Sequence, residues 1–269
     1  MMKKNIYLLL LLFSLSSCEK DADIVINEMS PQLVVSSMLS NNPLESNIKI
    51  TLSKGFKRNN YDYELLTDAL VKVTDNQGNE IIFQPDNEGV YKTTTSAIAG
   101  RQYTLDIKKS DYHITSQAIM PDAVTLEDFE MTDTQHSMSS LLLQFQDPSP
   151  QTDYYMVKVY FKSINTPDFE YLAADFLVSD YAYNEQTHRL NVGRVRTGST
   201  GTFRVVLTHI NKGTYNYLET LKNLNSMNYG DSPFVNAVPG NPNTNIQGGI
   251  GYFMTGTIGT KEKIINTTN

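Results

Sequence analysis

The fold class is decided by the stretch QYTLDIK, residues 102–108, along which apolar and polar side chains alternate. Successive side chains of a β-strand point to opposite faces, so this period of two places Tyr103, Leu105 and Ile107 together on one face. The same alternation recurs at residues 48–52 and 69–73. The sequence therefore predicts half-buried strands in this part of the chain.

Turn-forming sequences separate these strands. The stretches DNQGN at residues 75–79 and PDNEG at residues 85–89 are rich in Asn, Asp and Gly, which tolerate the positive φ of tight hairpins. Strands spaced about every 10 to 15 residues with such turns are typical of an antiparallel sandwich. We predict an N-terminal immunoglobulin- or prealbumin-like β-sandwich of about seven strands over residues 31–120.

A second, β-rich domain is predicted for residues 121–269, after the Pro-Asp break that begins it. Strand patterns recur within this domain at residues 141–146, 155–161, 171–178, 203–207 and 248–256. One short helix is predicted near residues 214–227, because Leu218 and Leu221 recur at helical spacing behind Thr214, which is suited to the N-cap. The predicted fold is thus mainly β with one short helix.

The N-terminus has the order of a bacterial export signal. Lys3 and Lys4 precede an apolar run that is shorter than the roughly 20 residues of a membrane-spanning helix. Small residues then lead to Cys18, the only cysteine in the chain. We predict that residues 1–17 are a lipoprotein signal peptide and that Cys18 carries the lipid; the alternative is an ordinary signal peptide that ends near an unrelated thiol. An acylated Cys18 leaves no thiol for a disulfide, so the fold depends on core burial.

The predicted mature chain is acidic. Removal of residues 1–17 leaves 20 basic side chains against 29 acidic ones, a net charge of −9. This charge argues against nucleic-acid binding and against electrostatic docking on anionic lipid, so the membrane partner would be held through the acyl chains. Acidic residues at positions 19–23 lie on the predicted tether, residues 18–30. They are either part of a solvated linker or a signal that directs the lipoprotein to the outer face of the outer membrane, and we favour surface display.

The common catalytic motifs are absent from the sequence. It contains no Gly-x-Ser-x-Gly elbow, no His-Glu-x-x-His zinc helix and no phosphate-binding Gly-Lys-Ser/Thr loop. The four histidines are far apart, and no two have the spacing of metal ligands: His113, His136, His188 and His209. We therefore predict a non-enzymatic protein with no catalytic residue, no cofactor and no metal site.

Two further patterns have structural interpretations. Gly248, Gly249 and Gly251 do not fit the dinucleotide-binding fingerprint, and we interpret them as strand glycines that let a backbone or an aromatic ring approach closely. The carboxylates at residues 127–130 are interpreted as a solvated connector rather than a calcium or acid–base site, because burial of adjacent carboxylates is costly.

Tyrosine is unusually frequent, with sixteen in the chain and no tryptophan. Six tyrosines are close together in the second half: Tyr154, Tyr155, Tyr160, Tyr171, Tyr181 and Tyr183. Two interpretations of this group stand, packing within strands and a recognition surface for a partner.

The C-terminal sequence carries a recognisable motif. Ser232-Pro233-Phe234 is followed by Pro242 and by TNIQGGIGYF, residues 244–253. This motif resembles the closing signature of the Bacteroidota lipoproteins known as family 4249 of domains of unknown function. The positions that carry the resemblance are Asn245, Ile246, Gly248, Gly249, Gly251 and Phe253. Earlier landmarks are similar to the family in the same order, at residues 31–37, 69–73 with Gly78, 89–91, 100–105 and 154–155. The first strand departs from the family pattern, with Met38 and Leu39 where an aromatic residue is common.

The resemblance implies a binding or accessory function and no established reaction. Members of the family are expected to be surface lipoproteins that accompany TonB-dependent outer-membrane transporters and capture or deliver a nutrient. A second hypothesis is a fimbrillin-like structural or adhesion subunit, whose precursor is also a lipoprotein and matures by cleavage after an arginine, here Arg58. A third hypothesis is a hydrolase with an unfamiliar site.

Overall fold

The computed structural model describes residues 30–53, 65–86, 88–132, 138–147, 151–172, 176–181, 187–196, 200–227 and 242–265. Several sequence predictions fall outside these ranges: Cys18 and the acidic tether residues after it, Arg58, His136, Tyr183 and the loop at residues 232–234.

Most described residues lie in β-strands. The strands are β1 (Leu33–Ser40), β2 (Asn47–Leu52), β3 (Leu70–Asp75), β4 (Glu80–Pro85), β5 (Val90–Lys92), β6 (Gln102–Lys109), β7 (Tyr112–Ile119), β8 (Thr125–Thr132), β9 (Met138–Gln146), β10 (Tyr154–Ser163), β11 (Glu170–Tyr171), β12 (Phe176–Ser179), β13 (Thr187–Arg196), β14 (Gly201–Ile210), β15 (Ile246–Gln247) and β16 (Ile250–Ile265). A 3₁₀ helix covers Pro43–Glu45, and helix α1 covers Lys212–Met227. The prediction of a mainly β fold with a short helix is confirmed.

Strands β1 to β7 enclose the first hydrophobic core. Antiparallel ladders join β1 to β2, β2 to β5, β5 to β4, β4 to β3, β3 to β6 and β6 to β7. In β6, Tyr103, Leu105 and Ile107 are buried as the alternation predicts. They pack with side chains that include Val35 and Ile50, which face the same core from the other strands.

The long strand β16 belongs to both halves of the molecule. Its first part, residues 250–256, runs parallel to β1, and its second part, residues 256–265, runs antiparallel to β14. Ile246 in β15 and Phe253 in β16 are buried in the first core. Residues 121–269 are therefore not one consecutive unit: the chain returns to the first sandwich near residue 246, because β16 is long enough to pair in both halves.

The second half contains its own core between two layers. One layer continues the large sheet through β14, β10, β11 and β12, and the other is the three-stranded sheet of β13, β9 and β8. Between them pack Phe129, Leu143, Val157 and Phe203, all buried. The strands predicted for this region are present; in the stretch predicted at residues 171–178, residue 171 lies in β11 and residues 176–178 lie in β12.

Helix α1 packs against strands β10 and β16. Tyr215 contacts Tyr154 of β10, and Tyr217 stacks on Tyr252 of β16, with ring centroids 4.9 and 4.8 Å apart. The predicted N-cap, Thr214, is wrong: the helix begins at Lys212, and Asn211 Oδ1 accepts a hydrogen bond from the Thr214 backbone N–H at 2.8 Å. Within the described ranges, no helix has both the length and the apolar character needed to cross a membrane.

Candidate functional site

A cleft opens where the two halves meet. Its volume is about 850 Å³. The end of the first sandwich contributes Gly100 and residues 119–122, and the second half contributes residues 151–154, Tyr181 and residues 209–212. This volume is in the range of pockets that hold small molecules.

Three carboxylates converge beside this cleft. Asp147, Asp153 and Asp180 each place one oxygen within 4.8 Å of the oxygens of the other two. We call these three residues the acidic cluster. Asp153 also lines the cleft, so the cluster lies at the boundary between the cleft and the protein interior.

The strand ends of the second half bring the acidic cluster together. Asp147 follows β9, Asp153 precedes β10 and Asp180 follows β12. Because β10 and β12 pair antiparallel, with Tyr154 opposite Ser179, the residues just outside the ladder become neighbours. The Asp153 N–H donates to Asp180 Oδ1 at 2.7 Å, and the Asp180 N–H donates to the Asp153 carbonyl at 3.2 Å. The backbone therefore pairs Asp153 with Asp180 and holds the Asp180 carboxylate in place.

The acidic cluster is buried. Asp147 is 4% exposed and Asp180 is 3% exposed. Burial raises the pKa of the Asp180 carboxyl to about 7, and the negative charges of Asp147 and Asp153 act in the same direction. Asp153 Oδ2 and Asp180 Oδ2 are buried and accept no hydrogen bond from the described part of the protein. Such buried acceptors are costly unless a cation or a proton satisfies them.

Two aromatic side chains support the acidic cluster from the paired strands β10 and β14. Tyr155 is fully buried, and its hydroxyl donates to Asp147 Oδ1 at 2.9 Å. Burial, followed by the adjacent Asp147 carboxylate, raises the pKa of Tyr155 well above its ordinary value, so the hydroxyl stays a donor. His209 lies opposite Tyr155, with the ring centroids 5.1 Å apart.

His209 connects the acidic cluster to the first sandwich. Its Nε2 lies 3.2 Å from Asp153 Oδ1, and its Nδ1 lies 2.9 Å from the carbonyl oxygen of Asp122. The same carbonyl accepts from the Thr257 hydroxyl at 2.6 Å. Both ring nitrogens thus face acceptors, and both can donate only when the imidazole carries two protons. The chain segment between the two halves is therefore tied to the cluster.

The C-terminal motif residues hold the end of the chain in the first sandwich. The Asn245 side chain acts as a strand partner for Phe253: its Oδ1 accepts from the Phe253 N–H at 2.8 Å, and its Nδ2 donates to the Phe253 carbonyl at 2.9 Å. Phe253 and Ile246 fill the first core. The motif therefore has a packing role.

The three motif glycines lie against backbone, as the sequence interpretation expects. A Cβ at Gly248 would meet the His113 carbonyl oxygen at 2.2 Å, and one at Gly249 would meet the Leu33 carbonyl oxygen at 2.7 Å. A Cβ at Gly251 would lie 1.9 Å from the Val35 carbonyl oxygen. Larger residues would separate these segments from β16 and the turn before it.

The comparison with protein families agrees with this chain-wide organisation. A model for a domain of unknown function, DUF4249, matches residues 19–262. The chain belongs to the DUF4249 family. The matched range covers both halves, the cleft, the acidic cluster and the C-terminal motif, so all of these are parts of one DUF4249 domain.

Similarities to other proteins are distant. A DUF4785 family protein from Legionella pneumophila is 9% identical, with a TM-score of 0.26, and the match covers 65% of this chain and 52% of that protein, about half its length. A segment of two fibronectin type III domains from chicken tenascin is 13% identical, with a TM-score of 0.21, and the match covers 68% of this chain and 91% of the segment. Among curated proteins, none matches the chain.

The other sequence candidates have separate surroundings. The carboxylates at residues 127–130 lie on β8, where Asp128 pairs with Lys263 at 2.6 Å and Glu130 pairs with Arg189. His113 lies 3.1 Å from Asp106 on the neighbouring strand. Of the tyrosine group, Tyr155 is buried in the second core while Tyr181 is 82% exposed at the cleft. The group therefore divides between packing and surface.

Proposed function

We propose that this DUF4249 protein is a non-enzymatic lipoprotein of the outer membrane, displayed at the cell surface, that assists a TonB-dependent nutrient transporter by capturing or handing over its ligand. The observation that carries the proposal is the export signal that ends at Cys18, in a chain that belongs to this family. The family itself has no assigned function.

A lipid on Cys18 would keep the folded body close to the membrane. Each buried methylene of an acyl chain contributes about 0.8 kcal/mol, so two or more chains hold a protein on a bilayer. Covalent geometry limits the tether of residues 18–30 to at most about 45 Å when fully extended. A protein held within this distance is well placed to act on a neighbouring transporter.

The cleft between the two halves is the best candidate for ligand capture. Its 850 Å³ would accommodate a small nutrient, and both halves contribute to its walls. Tyr154 and Tyr181 offer aromatic faces beside the polar side chains of Gln151 and Lys212. Tyrosine is well suited to recognition because it offers contact area at low entropic cost.

The transporter partnership can be tested by affinity purification from the outer membranes of the native organism. The full chain is tagged at its C-terminus, and the matched control is Cys18→Ala, which alters the anchor and leaves the folded body unchanged. We expect a TonB-dependent transporter to be recovered with the wild-type chain and to be depleted with the control. Absence of any transporter from the wild-type sample would refute the proposal.

The fimbrillin-like alternative makes a different chemical prediction. Cleavage after Arg58 would remove β1 and β2, which supply the fully buried Val35 and Ile50 to the first core. A pilus or adhesion subunit would then be found on cells as a shortened chain. Mass spectrometry of the surface protein distinguishes the two functions, because the accessory role requires a chain that begins at Cys18.

A further inference from the structure

Two carboxylate oxygens of the acidic cluster are buried without a hydrogen-bond donor in the described part of the protein. Asp147 and Asp180 are almost fully buried, and the Asp153 side chain is 14% exposed. The Tyr155 hydroxyl donates to Asp147, His209 Nε2 lies 3.2 Å from Asp153 Oδ1, and the Asp153 N–H donates to Asp180 Oδ1. Asp180 Oδ2 and Asp153 Oδ2 nevertheless stay buried without a hydrogen bond from the described residues. Buried carboxylates of this kind are found paired or coordinating a metal.

The spacing of the oxygens fits a single hard cation. Two oxygens bound to one Ca²⁺ at about 2.4 Å can be at most about 4.8 Å apart, and calcium accepts irregular arrangements of oxygen ligands, whereas Mg²⁺ requires a near-ideal octahedron. The oxygens of the acidic cluster all lie within 4.8 Å of one another. Carboxylate oxygens are also the ligands that calcium prefers.

We propose that Asp147, Asp153 and Asp180 bind one calcium ion at the wall of the cleft. Asp153 lies on the cleft surface, so water or an oxygen of a captured ligand can complete the coordination from the open side. When all three carboxylates are ionised they carry a charge of −3, which the ion reduces to −1. The site does not depend on the transporter partnership, since it is built from this chain alone.

The supporting side chains act as positioning residues for the ion. Tyr155 holds Asp147, and His209 holds Asp153 while its other ring nitrogen faces the Asp122 carbonyl. Groups that orient ligands in this way stabilise a bound metal. Because Asp122 and Thr257 lie at the junction of the two halves, calcium binding also stabilises that junction.

The experiment is a calcium titration of the full-length protein, purified in detergent and stripped with EDTA. Isothermal titration calorimetry with CaCl₂ is expected to show one ion per chain, with a Kd of about 10⁻⁴ to 10⁻³ M, as in extracellular calcium modules. In parallel, thermal unfolding is expected to move to higher temperature in CaCl₂ than in EDTA.

Asp180→Asn is the decisive variant. Asparagine keeps an acceptor for the Asp153 N–H and removes the charge, so the variant should fold in EDTA and should bind calcium at least about tenfold more weakly. The matched control is Asp111→Asn, which alters an exposed residue between β6 and β7 and should bind as the wild type does. If Asp180→Asn does not fold, Asp147→Asn repeats the test, because it keeps an acceptor for the Tyr155 hydroxyl.

Three results would overturn the proposal. The first is the absence of calcium binding to the wild-type chain, in which case a proton shared between carboxylates satisfies the cluster. The second is unchanged calcium affinity in the folded cluster variant. The third is a response to MgCl₂ as strong as the response to CaCl₂, which would exclude calcium as the specific ion.

Discussion

The substitution Gly251→Ala tests how β16 is held in the first sandwich. Gly251 has a φ of +112°, and its Cα pairs with that of Val35 across the parallel ladder. An alanine pays about 1–3 kcal/mol for this backbone conformation. Its Cβ would lie 1.9 Å from the Val35 carbonyl oxygen, so the strands must separate by about 1.4 Å to reach an ordinary carbon–oxygen contact of about 3.3 Å. Loss of two ladder hydrogen bonds adds about 2 kcal/mol, for a total of about 3–5 kcal/mol.

Gly78→Ala separates the two contributions. Gly78 has a φ of +86°, and a Cβ there would meet no atom within 4 Å, so this variant is destabilised only by the backbone conformation. Urea unfolding of the wild type and both variants gives the free energies of unfolding by linear extrapolation. We expect Gly251→Ala to be less stable than Gly78→Ala by about 2 kcal/mol. Equal losses in the two variants would refute the close approach of β1 and β16.

Three other perturbations test separate parts of the structure. Asn245→Ala removes both side-chain hydrogen bonds to the Phe253 backbone and should lower the free energy of unfolding in urea by about 1–3 kcal/mol. The control Gln247→Ala alters an exposed side chain and should lower it little, so equal effects of the two variants would contradict the bridging role of Asn245. Phe253→Ala leaves a cavity at a fully buried position and should lower the free energy of unfolding by about 3–5 kcal/mol. The control Tyr181→Ala, at the exposed cleft surface, should leave it nearly unchanged. A small loss for Phe253→Ala would contradict its position in the core. Hydrogen bonds from Asn79, Arg101 and Gln77 hold the pKa of the Asp75 carboxyl well below its ordinary value of about 3.9. The folded state therefore binds this proton less readily than the unfolded state, and the stability present above about pH 4 should be lost as the pH falls toward 2. Asp75→Asn should show a flatter dependence of the urea midpoint over this range, and an unchanged slope would contradict the assignment.

The strands and most of the core could be predicted because their signal is local. Alternation places Tyr103, Leu105 and Ile107 on one face, and this face is buried. The turns between β3 and β4 and between β4 and β5 contain Gly78 and Gly89 at positive φ, which the turn sequences anticipate. Such patterns need no knowledge of which distant strand lies alongside.

The role of β16 could not be predicted from the same kind of signal. The C-terminal sequence predicts a strand whose glycines allow another backbone to approach closely, but it does not indicate which strand provides that backbone. Its partner β1 lies at the other end of the chain, and the parallel register of Val35 with Gly251 is set by tertiary packing. A sequence division into two consecutive domains therefore misses the return of residues 246–256.

The acidic cluster could not be predicted from local sequence patterns for a related reason. Asp153 and Asp180 are 27 positions apart, and they meet because β10 and β12 pair immediately beside them. Each carboxylate by itself resembles an ordinary loop residue at a strand end. His209 likewise follows from the pairing of β14 with β10, which sets it opposite Tyr155.

Incorporation of labelled palmitate tests the proposed function most directly, because every partner named for this protein depends on an anchored chain. Cells that express the wild-type chain are grown with radiolabelled palmitate beside cells that express Cys18→Ala, and the purified proteins are compared at equal amounts. We predict that the label enters the wild-type protein and is absent from the variant. An unlabelled wild-type chain, or equal labelling of both chains, would contradict the lipid anchor and remove the basis for a role at the outer membrane.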